Sequence, residues 1–305
     1  MTDVPRFSIV VPAFNAASTL PETIDAIFAQ TYDDWECIVV DDGSTDLTGA
    51  IALEHERRDS RFRVVTQANQ GTAGAYNTGV RSGSAPFVVL CSADDMLLPD
   101  HLRIMDELIW RNPDCGLYSS NGDYLFDTGS RARVYEDAKW KDEISLSLEN
   151  VLAVCFFSVG ATFGRTVFDR VGGFRLGVFG EDYDFWLRAM AAGVKHRYTP
   201  EVLSLHRISR EQKSASILRV YDSNIEAYEN LVHGGWVRTT QVPLVEAAIA
   251  ARRRLRKHVK RRQWLQENAE LAHEWLNRIA GQRAADAAMG AMEAAYARSR
   301  RRTAL

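Results

Sequence analysis

Cysteine is scarce and scattered: four in 305 residues, with no Cys-x-x-Cys pair among them. Cys37, Cys91, Cys115 and Cys155 lie far apart, mostly in apolar runs or beside a turn. That excludes a zinc ribbon or a disulfide scaffold and leaves free thiols, most of them buried. Long hydrophobic runs are missing too, since none reaches the ~18 uncharged residues a membrane span needs. The opening Met-Thr-Asp-Val-Pro-Arg lacks the basic and apolar regions of a signal peptide. A reduced, cytoplasmic compartment is therefore expected. No Gly-x-Gly-x-x-Gly follows the first apolar run, and no Gly-x-x-x-x-Gly-Lys-Ser/Thr occurs, which weakens dinucleotide-binding and P-loop readings. Nor is there a strong excess of one charge. A net charge of -3 and a pI of about 6.2 speak against nucleic acid as a partner.

What is present is an ordinary globular composition, 46% hydrophobic and 25% charged, arranged as an alternation. Residues 7–11, 36–40, 62–66 and 87–91 read as short apolar strands. Helical patterns separate them. Ile24, Ile27 and Phe28 share a face after Thr19-Leu-Pro-Glu22, which has capping-box spacing. Leu47 and Ile51 carry a second helix, 69–79 is Gly-rich with a short helix towards Arg81, and Pro99 and Asp100 open a helix over 102–109. Such alternation predicts an α/β fold with a mostly parallel, doubly wound sheet flanked by helices. The middle is less regular. Residues 116–121 suggest a strand, 123–126 and 131–135 a hairpin, and 148–157 either helix or strand. Val171-Gly-Gly-Phe174 is a turn, 181–192 a helix stopped by Gly193, and 198–205 strand-like. From about Ser214 the pattern is helical to the end, with a dense basic run between Arg252 and Arg262.

In an open α/β sheet, ligands bind just outside the carboxyl ends of the strands. Acids cluster at two such ends. Asp41 and Asp42 can accept from a base N–H, or serve only the turn and the next helix cap. Asp94 and Asp95 can cap the helix after Pro99, but two adjacent carboxylates repel unless a cation or donor relieves them, which favours metal. Glu181, Asp182 and Asp184 surround a helix start. There the dipole alone stabilises acids, and a general base is the functional alternative. Phe14 is either a core aromatic or a stacking partner for a base. His206 is either structural or a ligand.

Together the runs become recognisable. Ile9-Val-Val-Pro-Ala-Phe-Asn15, Val40-Asp-Asp-Gly-Ser-Thr-Asp46, Asn69-Gln-Gly-Thr-Ala-Gly-Ala-Tyr-Asn-Thr-Gly79, Ser92-Ala-Asp-Asp95 with Pro99, and Gly180-Glu-Asp-Tyr-Asp-Phe-Trp-Leu-Arg188 resemble, in order and spacing, the family-2 glycosyltransferases. The resemblance spans roughly residues 5–210. It implies a GT-A fold, a nucleotide-diphosphate sugar donor, inversion at the anomeric carbon, and Mn²⁺ or Mg²⁺. By position, Pro12, Ala13, Phe14 and Asn15 would line the nucleobase, with Asp42 accepting from it. Asn69 and Asn77 would belong to a loop closing over the nucleoside. Ser92, Ala93 and Asp94 would lie under the ribose and diphosphate, with Asp94 as the metal carboxylate. Asp182 matches the catalytic base and Glu181 its neighbour. Two positions depart from the family pattern. Ser92 stands where an aspartate is usual, and the Arg-x-His register falls on Arg207-Ile-Ser209, so that His206 is displaced and is the candidate substitute metal ligand.

The expected division is a GT-A domain over 1–212 and a helical extension over 213–305. The resemblance does not explain that extension. Its basic segment suits an anionic membrane surface, a dimer contact or plain solvent. The acceptor can be a surface polysaccharide or other glycan, a lipid-linked precursor or a protein glycan. A nucleotidyltransferase would need a Gly-rich, basic triphosphate loop after the first strand, which Pro12-Ala-Phe-Asn-Ala is not. A non-catalytic sugar-nucleotide binder is the other class. Intact Asp94 and Asp182 speak against it.

Overall fold

The structure, a computed structural model, describes residues 4–126, 128–134, 142–153, 157, 159–208 and 217–267, with side chains as far as 260. Three parallel pairings build one half of the sheet. β1 (Phe7–Ala13) lies between β2 (Trp35–Asp41) and β4 (Phe87–Leu90), and β3 (Phe62–Thr66) adds to β2. All seven residues of β1 are buried, as expected of a strand covered on both faces, where apolar residues run continuously instead of alternating. The helices of this half are α1 (Leu20–Phe28), α2 (Thr48–Arg58) and α3 (Gly71–Ser82).

After β4 the sheet changes character. The chain continues through β5 (Met96–Leu97), α4 (His101–Arg111), β6 (Leu117–Phe126), β7 (Arg131–Arg133), α5 (Leu148–Ala153), β8 (Thr162–Gly164), α6 (Arg165–Val171), α7 (Glu181–Ala191) and β9 (His196–Ile208). The strand order is β3-β2-β1-β4-β8-β6-β9-β5, with β7 paired to β6. β8 is antiparallel to both β4 and β6, and β6 and β9 run parallel with two register shifts. The sheet is thus mixed where a purely parallel winding would have continued.

Several local expectations change. Thr19 precedes α1, but its side chain makes no capping hydrogen bond to the helix. Its hydroxyl donates to the Ala16 carbonyl, and Glu22 pairs with Arg207 instead. Residues 71–82 form a full helix despite their glycines. Gly79 is needed there, because a Cβ would collide with Val10 and Val40 and lift α3 off β1 and β2. Residues 148–153 are helical. The hairpin after β6 forms, with Asp123 opposite Arg133; its Asp127 and Tyr135 lie outside the described residues, as do Cys155 and Ser209. Cys37 and Cys91 are buried and free, and Cys115 is half-buried and free.

Met1–Ala250 forms one compact unit and Ala251–Leu305 another. In the first unit α8 (Ile217–His233) and the start of α9 (Val242–Glu267) bury Ala227, Tyr228, Leu231, Val245 and Ile249 in the core cluster that holds α5, α6 and α7. Tyr228 and Leu231 recur at helical spacing, so this stripe is core packing. The basic run from Arg252 belongs to the second unit, and its Arg261 and Arg262 side chains fall outside the description.

Candidate functional site

β1 and β2 end side by side. Past β1, Pro12 and Ala13 are buried while Phe14 is 51% exposed, a large apolar face kept out of the core. Asn15 has a positive φ of 50°. Its amide donates to the Ser44 hydroxyl at 3.0 Å and its Oδ1 accepts from the Thr45 amide at 2.9 Å, so it ties the β1 end to the turn after β2. In that turn Gly43 takes φ +77°, and Asp41 accepts from the Ser44 amide at 3.0 Å. Asp42 is buried, and its Oδ1 accepts from Gln67 Nε2 at 2.7 Å and the Gln70 amide at 2.9 Å. The carboxylate is thereby aimed by the segment leading into α3. Asn69 is exposed and accepts from the Gly71 amide at 3.2 Å. Asn77 has a different setting. It is buried, donating from Nδ2 to the Phe174 carbonyl at 2.7 Å and accepting at Oδ1 from the Phe174 amide at 2.8 Å. Both ends of its amide are committed to the loop before α7.

The segment after β4 carries the second acid pair. Ala93 and Asp95 are buried and Ser92 and Asp94 half-buried. Asp95 faces inward and serves the neighbouring strand: its Oδ1 accepts from His206 Nδ1 at 3.1 Å and the Arg207 amide at 3.0 Å. Arg207 Nε donates to the Asp94 carbonyl at 3.2 Å, and its far nitrogen pairs with Glu22 of α1. Burial alone would lower the His206 pKa, but the hydrogen bond and charge of Asp95, with Asp94 and Asp182, raise it. Burial also raises Asp95, a shift that taken alone would argue for a neutral pair. The two N–H groups pointing at one Asp95 oxygen suit an ionised carboxylate.

The third run opens α7. Gly180 sits at its N-cap with φ +72°, and Glu181 and Asp182 follow, both half-buried. Burial first, then the adjacent Glu181, push Asp182 up to about 6. The same motif also contains purely structural members. Asp184 and Arg188 are each 1% exposed and pair at 2.8 Å; Arg188 also donates to the carbonyls of Val171 (2.6 Å) and Gly173 (2.8 Å). Tyr183 donates to the Val151 carbonyl and meets the Tyr228 hydroxyl at 2.9 Å. Phe185 stacks on Phe174 at 4.5 Å and Trp186 on Phe157 at 4.5 Å. These contacts fix the helix that presents Asp182.

The acid runs converge. Asp182 and His206 act electrostatically on one another, and Asp94 and Asp95 act on His206. Tyr76 of α3 feels Asp182, Glu181 and Asp95 together. The runs around Asp94 and Asp182, far apart in sequence, are therefore close enough to act on the same His206 side chain. Among the described residues no group of three or more His, Cys, Asp and Glu side chains is placed to hold a metal ion. The chain thus offers a pair, the Asp94 carboxylate and His206, whose Nδ1 is held by Asp95 so that Nε2 remains as donor. A hard divalent ion that takes its other ligands from water and phosphate oxygens fits such a pair. Sequence reasoning missed Asp95 as the holder of His206, Asn77 as the clamp on Phe174, and Tyr76. The signal for Asp95 was its adjacency to Asp94; for Asn77 and Tyr76 there was no local signal beyond their place in the Gly-rich run.

A mixed α/β sheet with acids gathered at its strand ends, and helices on its faces, defines a GT-A-type transferase. The profile described as Glycosyl transferase family 2 matches residues 8–176, and the chain belongs to that family. The uncharacterised glycosyltransferase EpsJ of Bacillus subtilis is 34% identical over 124 residues, which cover 39% of this chain and only 36% of EpsJ. An uncharacterised glycosyltransferase of Rickettsia prowazekii is 27% identical over 247 residues, 79% of this chain and 74% of that protein. Among solved structures, the mannosyltransferase PcManGT of Pyrobaculum calidifontis, in complex with GDP-Man and Mn²⁺, has a TM-score of 0.67 at 21% identity, covering 97% of this chain and 81% of its own. S. aureus TarS 1-349 in complex with UDP has a TM-score of 0.66 at 16% identity, covering 89% and 78%. At such identities the structural likeness establishes the fold. No helix among the described residues is long and apolar enough to cross a membrane.

Proposed function

We propose that this glycosyltransferase moves a sugar from a nucleotide-diphosphate sugar to an acceptor hydroxyl by direct displacement, inverting the anomeric carbon. The observation that supports the reading is that Asp94 and Asp182, from separate motifs, both act electrostatically on His206, as a base and a cation-holding pair near one another would. Phe14 offers its exposed face to the base, and Asp42 accepts from the base N–H. Ser92 and Ala93 line the ribose and diphosphate. Asp94 and His206 would hold Mn²⁺ or Mg²⁺, which would supply positive charge for the leaving diphosphate. Asp182, ionised above about pH 6, takes the proton of the incoming hydroxyl on the face opposite the diphosphate. Glu181 beside it keeps that proton affinity high. Proton transfer of this kind contributes ~10²–10⁴-fold.

The acceptor class is a glycan, a lipid-linked precursor or a protein-borne sugar, and the site of action is cytoplasmic. The basic start of the second unit, Arg252 to Lys260, suits a peripheral contact with an anionic membrane face or a homodimer. The test is transfer or slow hydrolysis of a panel of UDP-, GDP- and dTDP-sugars with Mn²⁺. Turnover that falls with EDTA and is lost in Asp182→Asn is expected. Binding of a sugar nucleotide with no turnover under any metal would replace this reading by a non-catalytic binder.

A further inference from the structure

Thr78 and Gln67 have no place in the roles assigned above, yet both are tied to the acid proposed to meet the base. The Asp42 amide donates to the Ala13 carbonyl at 2.9 Å, which sets Asp42 beside the residue leading into the exposed Phe14. Its carboxylate is engaged from one side only. Oδ1 accepts both hydrogen bonds, from Gln67 Nε2 at 2.7 Å and from the Gln70 amide at 2.9 Å. No described residue donates to Oδ2. Asp42 is 3% exposed, but Oδ2 is not among the sealed polar atoms left without a partner, so it keeps an opening to solvent. Gln67 is itself held at three points. Its amide N–H donates to the Asp41 carbonyl at 3.0 Å, its Nε2 to Asp42, and its Oε1 accepts from the Thr78 hydroxyl at 2.5 Å. Each direction is forced. An ionised carboxylate only accepts, so Gln67 turns its NH₂ end to Asp42. Its carbonyl end then faces Thr78, whose hydroxyl must donate. Thr78 is carried by α3, which Gly79 lets settle against Val10 and Val40.

Nucleobases differ at the edge such an oxygen would meet. Uracil, thymine and guanine carry a ring N–H there, whereas cytosine and adenine carry a ring nitrogen lone pair. We propose that Thr78 and Gln67 are positioning residues that set base choice: Thr78 orients the Gln67 amide, Gln67 occupies Oδ1 of Asp42, and only Oδ2 is left to accept the ring N–H of uracil, thymine or guanine. This deepens the transferase reading and rests on it. A cytosine or adenine nucleotide brings a lone pair against the same oxygen and is refused. A site built around a hydrogen bond rejects an analogue lacking the donor far more strongly than an apolar pocket rejects a changed shape, because the acceptor is left unmet. Gln67 also closes the alternative. With Oδ1 unoccupied by its side chain, the carboxylate could turn and accept from the exocyclic amino group of cytosine or adenine.

The experiment measures calorimetric binding of UDP against CDP and of GDP against ADP to the full chain, all with Mn²⁺. Each pair shares its ribose and diphosphate and differs at the base edge. Wild type is expected to bind UDP over CDP, or GDP over ADP, by at least about tenfold. Thr78→Val, which keeps the shape and loses the hydroxyl, and Gln67→Met should each lower that ratio by about fivefold. The loss should fall on the preferred nucleotide, with the refused one moved by less than about twofold. Thr78→Ser should keep the wild-type ratio. Equal weakening of both members of a pair, or an unchanged ratio in variants that melt like wild type, overturns the proposal and leaves the transferase reading standing. A wild type that binds both members of each pair alike does the same. A folded wild type that binds none of the four overturns both.

Discussion

The two halves of the sheet orient their acids by different means. In the parallel half, Asp41, Asp42 and Asp95 are oriented largely by backbone amides: Ser44 N–H, Gln70 N–H and Arg207 N–H. In the mixed half, Asp182 stands on α7, and α7 is anchored by buried side chains. Arg188 holds the Val171 and Gly173 carbonyls, Asn77 holds Phe174, and Tyr183 meets Tyr228. On the proposed reading the donor side is thus built into strand ends, whereas the acceptor side depends on a polar network that one substitution can open. Partly satisfied buried networks are costly, so damage there should reach the base first and donor binding last.

The sharpest test removes the base itself. Asp182→Asn should cut transfer by ~10²–10⁴-fold while leaving donor affinity within about twofold. In wild type the rate should rise with pH through about 6, where Asp182 ionises. The sign for stability is opposite to that for activity. A carboxyl whose folded pKa is raised contributes stability below its unfolded value of ~3.9, and that contribution is lost as pH rises through about 6. Asp182→Asn should therefore melt higher than wild type at pH 8 and no higher at pH 4. A variant that melts alike at both values would show that Asp182 is not strained by burial and Glu181.

Next in size is the network behind α7. Arg188→Met leaves Asp184, 1% exposed, with Arg175 at 3.3 Å as its remaining cation. Breaking a buried pair from one side costs about 3–5 kcal/mol, read as a fall in denaturation midpoint. Adding Asp184→Asn should recover part of the loss, since the stranded charge is then gone. If the single variant is as stable as wild type, side-chain anchoring of the acceptor side is wrong.

How much of this was legible follows the same division. The alternation of strands and helices up to β4 could be read because buried parallel strands are continuous apolar runs with turn residues at their ends. The acids at 41–42 and 94–95 could be read because they interrupt those runs. The antiparallel insertion of β8 could not, since Thr162–Gly164 is three residues long and its direction is set by which neighbours it completes. Around the start of α7, local sequence offered three carboxylates of equal standing, and only the family resemblance singled out Asp182 with Glu181. Burial separates them, leaving Glu181 and Asp182 half-buried and sending Asp184, with its partner Arg188, to the interior. Asn77 was read with the nucleoside loop because the family resemblance put it there by position. Once α3 forms, Asn77 turns inward to Phe174. From about Ser214 sequence showed only a helical pattern, and what makes α8 core is the surface of α5 and α7 that its Ala227, Tyr228 and Leu231 pack against.

Smaller still is the clamp. Asn77→Ala removes both hydrogen bonds to the Phe174 backbone and leaves a buried N–H and C=O unmet, at about 2 kcal/mol. Gly173, with φ +75° and a Cβ that would lie 2.6 Å from Asn77 Oδ1, fixes how closely that loop approaches. The loss should fall on kcat more than on donor KM, because Phe174 supports α7 and not the strand ends. An equal change in both would blur the proposed separation of the two sides.

The smallest expected effect lies on the donor side and tests its independence. Phe14 is 51% exposed, so truncating it removes little packing and should leave the melting temperature unchanged. Stacking of an aromatic on a base is worth ~1–3 kcal/mol, and a half-exposed ring belongs at the low end, about fivefold in donor affinity. Phe14→Ala should therefore raise donor KM by about that factor with kcat intact, the mirror of Asn77→Ala. Because Phe14 touches none of the groups that hold α7, the Phe14→Ala and Asn77→Ala losses should add when combined. A double variant markedly worse than the sum would mean that the strand ends and α7 move as one body, and the contrast between the two halves would fail.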